Sequence, residues 1–154
     1  MRTGGVRMAL AALGLAVLAG CGGPEAPARA QTEPVPMPES DLQALAFRMA
    51  DDKGLPRTLV HRVIMRESRY NPAARNGPYM GLMQIHPQTA RTMGFRGTAE
   101  ALLDAETNLR YALRYLRGAW IVADGDPDRA VMWYARGYYY EARDRGLLQE
   151  TGLR

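Results

Sequence analysis

Apolar residues in the second part of the chain recur every three or four positions, which is the spacing of helices that bury one face. No run there shows the sustained alternation that a strand would need. The first stripe begins at a capping box made by Ser40 and Gln43, and Gly54 predicts where its helix ends. The residues of this stripe are Leu42, Leu45, Ala46 and Met49.

The second predicted helix, over 58–69, carries an acid on its apolar face. Glu67 follows three apolar residues by seven, four and three positions, so all four share one face. These residues are Val60, Val63 and Ile64. A carboxylate on such a face loses hydration, which raises its pKa and suits it to donate a proton. By position alone, a Glu67 that pairs with Arg66 or Arg69 at the edge of the face is the better interpretation, and only the sequence that follows Glu67 favours the proton donor.

The remaining pattern predicts further helices joined by short loops. A loop over 73–80 is followed by these segments: a helix from Pro87 to Gly94, a turn capped by Thr98, a long helix opened by Asp104, a helix with Asp126 as its cap and Pro127 at its first position, and a final helix over 138–145. These elements predict an all-α domain over 39–154.

The first 38 residues are expected to lie outside this domain. Arg2 and Arg7 precede an apolar run of eleven residues, which is too short to span a membrane and fits the core of a signal peptide over 1–20. Leu-Ala-Gly before Cys21 resembles the lipobox of bacterial lipoproteins, which implies that Cys21 becomes the lipid-bearing N-terminus. Residues 22–38 contain five of the ten prolines and little to bury, so we expect a disordered, extended linker.

Composition removes several classes of function. A single cysteine excludes an intramolecular disulfide framework, and with His61 and His86 as the only histidines the chain lacks the ligands of a structural zinc site. The net charge of +4 is mild and includes Arg2 and Arg7 of the signal, so a nucleic-acid partner is not indicated. We expect no metal and no cofactor.

Two blocks of sequence carry a resemblance to a known family. ESRYNPAA over 67–74 and GLMQIHPQTA over 81–90 are similar to the two central motifs of the soluble lytic transglycosylases. Residues 108–116 resemble a third motif of that family and residues 130–137 a fourth. The resemblance covers roughly 40–146. It implies a goose-type lysozyme-like helical fold and an enzyme that cleaves peptidoglycan glycan strands without water or a metal.

The resemblance also assigns roles to residues. Glu67 becomes the catalytic acid and then base, acting on the β-1,4 bond between N-acetylmuramic acid (MurNAc) and N-acetylglucosamine (GlcNAc) to leave 1,6-anhydro ends. The expected substrate-binding residues are Met83, Gln84, Tyr134 and Tyr79. With Cys21 lipidated and Gly22 after it, the protein is expected at the outer membrane, facing the periplasm. The sequence names no protein partner.

Two departures from the family keep alternatives open. The loop between Glu67 and Gly81 is about one residue shorter than usual, and Ala135 stands where the fourth motif has asparagine. A muramidase that hydrolyses the same bond with water is one alternative. An inactive lipoprotein that only binds peptidoglycan is the other.

Overall fold

The computed structural model describes residues 39–153. The expected signal peptide over 1–20, Cys21 and the linker to residue 38 lie outside the described residues. The elements, in chain order, are α1 (Glu39–Asp52), α2 (Arg57–Glu67), β1 (Arg75–Asn76), β2 (Tyr79–Met80), α3 (Pro87–Thr92), a 3₁₀ helix (Ala99–Leu103), α4 (Ala105–Val122), α5 (Pro127–Arg136) and α6 (Tyr139–Asp144). The prediction of a mostly helical domain is confirmed.

Helix α4 lies at the centre of the domain. It contacts α1, α3, α5 and the 3₁₀ helix, so half of the other elements pack against it. Its buried face includes Leu109, Leu113 and Leu116, each 0% exposed. Within 39–153, no helix is both long and apolar enough to cross a membrane.

Helix α2 ends two residues earlier than its apolar spacing predicts. Glu67 is its last residue, and Ser68 caps it by donating its backbone N–H to the Ile64 carbonyl at 2.9 Å. Arg69 and Tyr70 follow with φ of 52° and 62°, left-handed values that a helix cannot continue through. The candidate acid therefore stands at the open end of a helix rather than within it.

A small hairpin occupies the segment predicted as a loop. Strands β1 and β2 are antiparallel, with Arg75 opposite Met80 and Asn76 opposite Tyr79. The prediction of a plain loop over 73–80 was wrong because strands of two residues are too short to show alternation. The hairpin matters for the site because it carries Tyr79 at its tip.

Two of the four predicted helix caps are present, and Ser40 is not one of them because α1 already begins at Glu39. The side chains of Asp104 and Asp126 accept hydrogen bonds at 2.8 Å from the backbone N–H groups of Thr107 and Arg129, respectively. Thr98 stands at its predicted position but makes no side-chain cap bond. His86 caps α3 unexpectedly, with Nδ1 accepting from the Gln88 N–H at 3.0 Å.

Loss of the Asp104 cap should destabilise α4. Replacing Asp104 with alanine leaves a helical N–H without its partner and is expected to lower the free energy of unfolding by about 1 kcal/mol. Chemical denaturation measures the change. Asp104→Asn keeps a side-chain acceptor and serves as the matched control, so an equal loss in both variants would contradict the assigned cap.

Candidate active site

The carboxyl group of Glu67 is half-withdrawn from solvent at the end of α2. Its side chain is 23% exposed, against 53% for the neighbouring Arg66. Burial raises the pKa of Glu67, and the Arg66 guanidinium, with Nε 3.6 Å from Oε1, opposes this only in part. The group is therefore tuned toward holding a proton while remaining accessible.

Glu67 opens into a cleft between the hairpin and α5. Two adjoining cavities of about 190 and 340 Å³ make up this cleft, and both are lined by Tyr79, Gln84, Tyr134 and Ala135. The smaller cavity also contains Glu67. The larger one runs along the start of α3 and the end of α5. A chain-like substrate can thus lie across the carboxyl group.

Tyr134 forms the wall opposite the hairpin. Its hydroxyl donates to the Met83 carbonyl at 2.8 Å, and its ring lies 5.5 Å from that of Tyr115. Burial, followed by the negative charge of Glu67, raises the pKa of Tyr134 well above its usual value. Burial also raises the pKa of Tyr115 to about 12. Both hydroxyls therefore stay protonated at neutral pH.

The segment over 80–84 forms the floor of the cleft, and Asn108 of α4 holds it from the core side. This side chain is 0% exposed. Its Oδ1 accepts from the Met83 N–H at 2.9 Å, and its Nδ2 donates to the carbonyls of Met80 and Leu102 at 2.8 Å each. One side-chain amide thus bonds three buried backbone groups, which fixes the distance between the cleft floor and α4.

Gly81 makes this close approach to Asn108 feasible. Its φ is +72°, and a Cβ placed there would collide with Nδ2 of Asn108 and the carbonyl oxygen of Leu102. Glycine is therefore the only residue that fits without displacing the floor. Ser68 adds a second anchor by donating its hydroxyl to the Leu82 carbonyl at 2.7 Å, which ties the floor to the end of α2 beside Glu67.

The side-chain amide of Gln84 bonds the protein through its nitrogen but not through its oxygen. Its Nε2 donates to the carbonyls of Gly81 at 2.8 Å and Ala74 at 3.1 Å, which joins the floor to the hairpin. Its Oε1 makes no hydrogen bond within 39–153. This oxygen is also not one of the fully buried, unpartnered polar atoms of that region, so it is open to solvent. The residue therefore presents an acceptor, and no free donor, to the cleft that it lines.

Comparisons with known proteins place the chain in a family. The family model described as the transglycosylase SLT domain matches residues 44–149. The chain belongs to this family. It is also 33% identical, over 103 residues, to a protein of Escherichia phage T7 named peptidoglycan transglycosylase gp16. That match covers 64% of the chain but 8% of the phage protein. No solved structure matches the chain significantly.

The SLT domain brings together four of the five residues expected at the site. Glu67, Tyr79, Gln84 and Tyr134 line one cleft. Met83 does not, because its side chain is 0% exposed and packs in the core. Its backbone contributes instead, through the carbonyl that receives the Tyr134 hydroxyl.

Two contributors to the site were missed by sequence reasoning. Asn108 was read only as the start of a resembling motif, although an amide directly before the buried Leu109 was a signal that a polar group enters the core. His86 has no predicted role at the site, yet it caps α3, and its ring lies 5.7 Å from that of Tyr79 at the cleft. Within 39–153, no group of three acidic, histidine or cysteine side chains could hold a metal ion.

Proposed function

We propose that the protein is a peptidoglycan lytic transglycosylase that cleaves the β-1,4 bond between MurNAc and GlcNAc without water. The observation that carries the proposal is that Glu67 is the only carboxylate among the described residues that line the cleft. Glycosidases that use water commonly place a second carboxylate across the bond. A single carboxyl group suits a reaction in which the substrate supplies the nucleophile.

The proton route needs only Glu67 and the sugar. Protonated Glu67 gives its proton to the GlcNAc oxygen as the bond from that oxygen to C1 of MurNAc breaks. The 2-acetamido oxygen of MurNAc stabilises the positive charge at C1. The Glu67 carboxylate then takes the proton of the C6 hydroxyl while O6 bonds to C1, which closes the 1,6-anhydro ring. Glu67 ends protonated, ready for another cycle.

The neighbouring groups suit the binding of a sugar chain. The free Oε1 of Gln84 can accept a hydrogen bond from an acetamido N–H or a hydroxyl group. Tyr79, 45% exposed at the hairpin tip, offers an aromatic face to the C–H surface of a ring. Ala135 offers only a methyl group where the family commonly has an amide, so the hydrogen bonds of this domain to the sugar depend on other residues.

Digestion of purified sacculi tests the reaction type. We expect mass spectrometry of the soluble products to show 1,6-anhydro muropeptides, 18 Da lighter than their hydrolysed counterparts. Products with reducing MurNAc ends alone would identify a hydrolytic muramidase. If no product appears while the protein still sediments with sacculi, the inactive binding protein is the correct alternative.

The acid role of Glu67 sets a pH dependence. Because the protonated form starts the reaction, activity should fall as the pH rises through the pKa of Glu67. Arg66 lowers that pKa, so Arg66→Gln should move the alkaline limb of the kcat/KM profile to higher pH. Arg69→Gln, which removes a nearby exposed cation that forms no ion pair with Glu67 in the described structure, is the matched control. An identical shift in both variants would point to net charge instead.

We also propose that Cys21 carries a lipid that anchors the protein to the outer membrane. The support is the lipobox-like sequence and the proline-rich linker over 22–38, which is long enough to let the domain reach the cell wall. Mass spectrometry of the mature N-terminus in the membrane fraction tests this. Cys21→Ser should release the protein into the soluble fraction, and an unchanged distribution would rule out the anchor.

A further inference from the structure

A third cavity borders the cleft at the end of α5. It measures about 370 Å³ and shares Arg136 and Gly137 with the larger cavity of the cleft. Beyond these two residues it is lined by aromatic side chains and acids of α5 and α6, namely Trp133, Tyr138, Tyr139, Tyr140, Glu141 and Asp144. We call it the aromatic cavity.

Two tyrosines of the aromatic cavity are held open to solvent. Tyr139 is 48% exposed and Tyr140 is 69% exposed, whereas Tyr138 beside them is 1% exposed. The fold accounts for Tyr138, whose hydroxyl donates to the Tyr115 carbonyl at 2.8 Å. Packing does not account for the other two, because the residue through which α6 enters the core is Ala142.

The exposed rings form a preset surface. Tyr139 and Tyr140 meet edge to face, with centroids 5.4 Å apart and planes at 83°. The Arg143 guanidinium lies 5.1 Å from the Tyr140 centroid, which restrains that ring. Rings fixed in this way lose little entropy when a flat C–H surface stacks on them, and tyrosine hydroxyls can bond the polar rim of the same ligand.

A cation at the junction with the cleft favours a sugar chain with carboxylates, because the two acids that line the cavity are already paired with neighbouring arginines. Arg136 stands at the junction with the cleft and pairs with no carboxylate within 39–153. It is thus available to the lactyl carboxylate of a MurNAc unit. The indole Nε1–H of Trp133 is buried without a partner among the same residues, and an oxygen of a bound ligand would supply one after a small shift of the surrounding rings.

We propose that the aromatic cavity is an additional glycan-binding subsite, which extends the cleft past Arg136 so that the domain holds long peptidoglycan strands more tightly than short ones. This inference rests on the proposed function, since it assumes that a glycan strand lies in the cleft at Glu67. The bound portion is the saccharide backbone of the strand, stacked on Tyr139 and Tyr140, rather than its stem peptide.

The test compares strand lengths in a background that cannot turn over the substrate. Isothermal titration of Glu67→Gln with stem-free GlcNAc–MurNAc tetrasaccharide and octasaccharide gives the two reference affinities. Adding Tyr139→Ala and Tyr140→Ala should weaken octasaccharide binding by about tenfold, the loss typical of truncating aromatic anchors, and weaken tetrasaccharide binding much less. Replacing both tyrosines with phenylalanine should restore most of the octasaccharide affinity.

Two controls separate this proposal from its alternatives. Phe47→Ala removes a part-exposed aromatic ring from α1, outside all three cavities, and should leave the octasaccharide affinity unchanged. With Trp120 replaced by phenylalanine, Trp133 is the sole tryptophan, and its fluorescence should respond to octasaccharide more than to tetrasaccharide.

Several results would overturn the subsite. They are unchanged octasaccharide affinity in the alanine variant, equal losses for both lengths, and a loss seen only with strands that carry stem peptides. If the wild type releases anhydro muropeptides while any of these holds, the subsite alone is wrong. If the wild type neither cleaves sacculi nor binds either oligosaccharide, the proposed function fails with it.

Discussion

Glu67→Gln should reduce the release of muropeptides from sacculi by about a thousandfold or more, because general acid–base catalysis typically contributes 10² to 10⁴ in rate and one residue here supplies both steps. Glutamine has nearly the same shape as glutamate but cannot give a proton to the leaving oxygen. Rates of release, followed by chromatography of the soluble products, measure the effect.

The loss of activity should not come from unfolding. Burial raises the pKa of Glu67, so the folded protein holds this proton more tightly than the unfolded chain does, and the stability that this contributes is lost as the pH rises through the folded pKa. A neutral amide removes that dependence, so the variant should be at least as stable as the wild type at neutral pH. Glu100→Gln, at an exposed acid of the 3₁₀ helix, should leave the rate unchanged. Comparable rates for wild type and Glu67→Gln would exclude Glu67 as the catalyst.

Asn108→Ala should cost about 4 kcal/mol of the free energy of unfolding, because it leaves two buried backbone groups unpaired and each costs roughly 1 to 3 kcal/mol. These groups are the Met83 N–H and the Leu102 carbonyl, whereas the Met80 carbonyl still accepts from the Ile85 N–H at 3.1 Å. Urea denaturation, followed by circular dichroism, measures the loss. It is a large part of the 5 to 15 kcal/mol that usually stabilises a domain.

Two further variants locate the cause of this loss. Asn108→Asp keeps the acceptor for the Met83 N–H but cannot donate while ionised, so it should also be strongly destabilised. Thr107→Ala changes the preceding, partly exposed residue, whose hydroxyl makes no hydrogen bond within 39–153, and should cost little. A loss below about 1 kcal/mol for Asn108→Ala would show that the floor of the cleft does not depend on this amide.

The parts of the site that follow helical spacing could be predicted from sequence. Glu67 was placed correctly on the buried face of α2 because its neighbours at three and four residues lie in the same helix. The end of that helix could not be placed, because it depends on left-handed backbone at Arg69 and Tyr70, which few sequences signal.

The floor of the cleft shows a second limit. Met83 and Gln84 are adjacent and both match a motif, yet the Met83 side chain is in the core while Gln84 lines the cleft. Gln84 has a φ of 47°, so neither helical nor strand periodicity predicts which way its neighbours point. The anchoring by Asn108 spans 25 residues of sequence and is visible only once α4 has packed.

The bond between Met83 and Asn108 also bears on how the domain opens. Substrate loops usually fluctuate independently of the core, and their amide hydrogens exchange with solvent quickly. Here the Met83 amide is held by a fully buried side chain of the central helix. Its hydrogen should therefore exchange as slowly as those of α4, so the cleft floor and the core form one cooperative unit that loses its shape only when the whole domain unfolds.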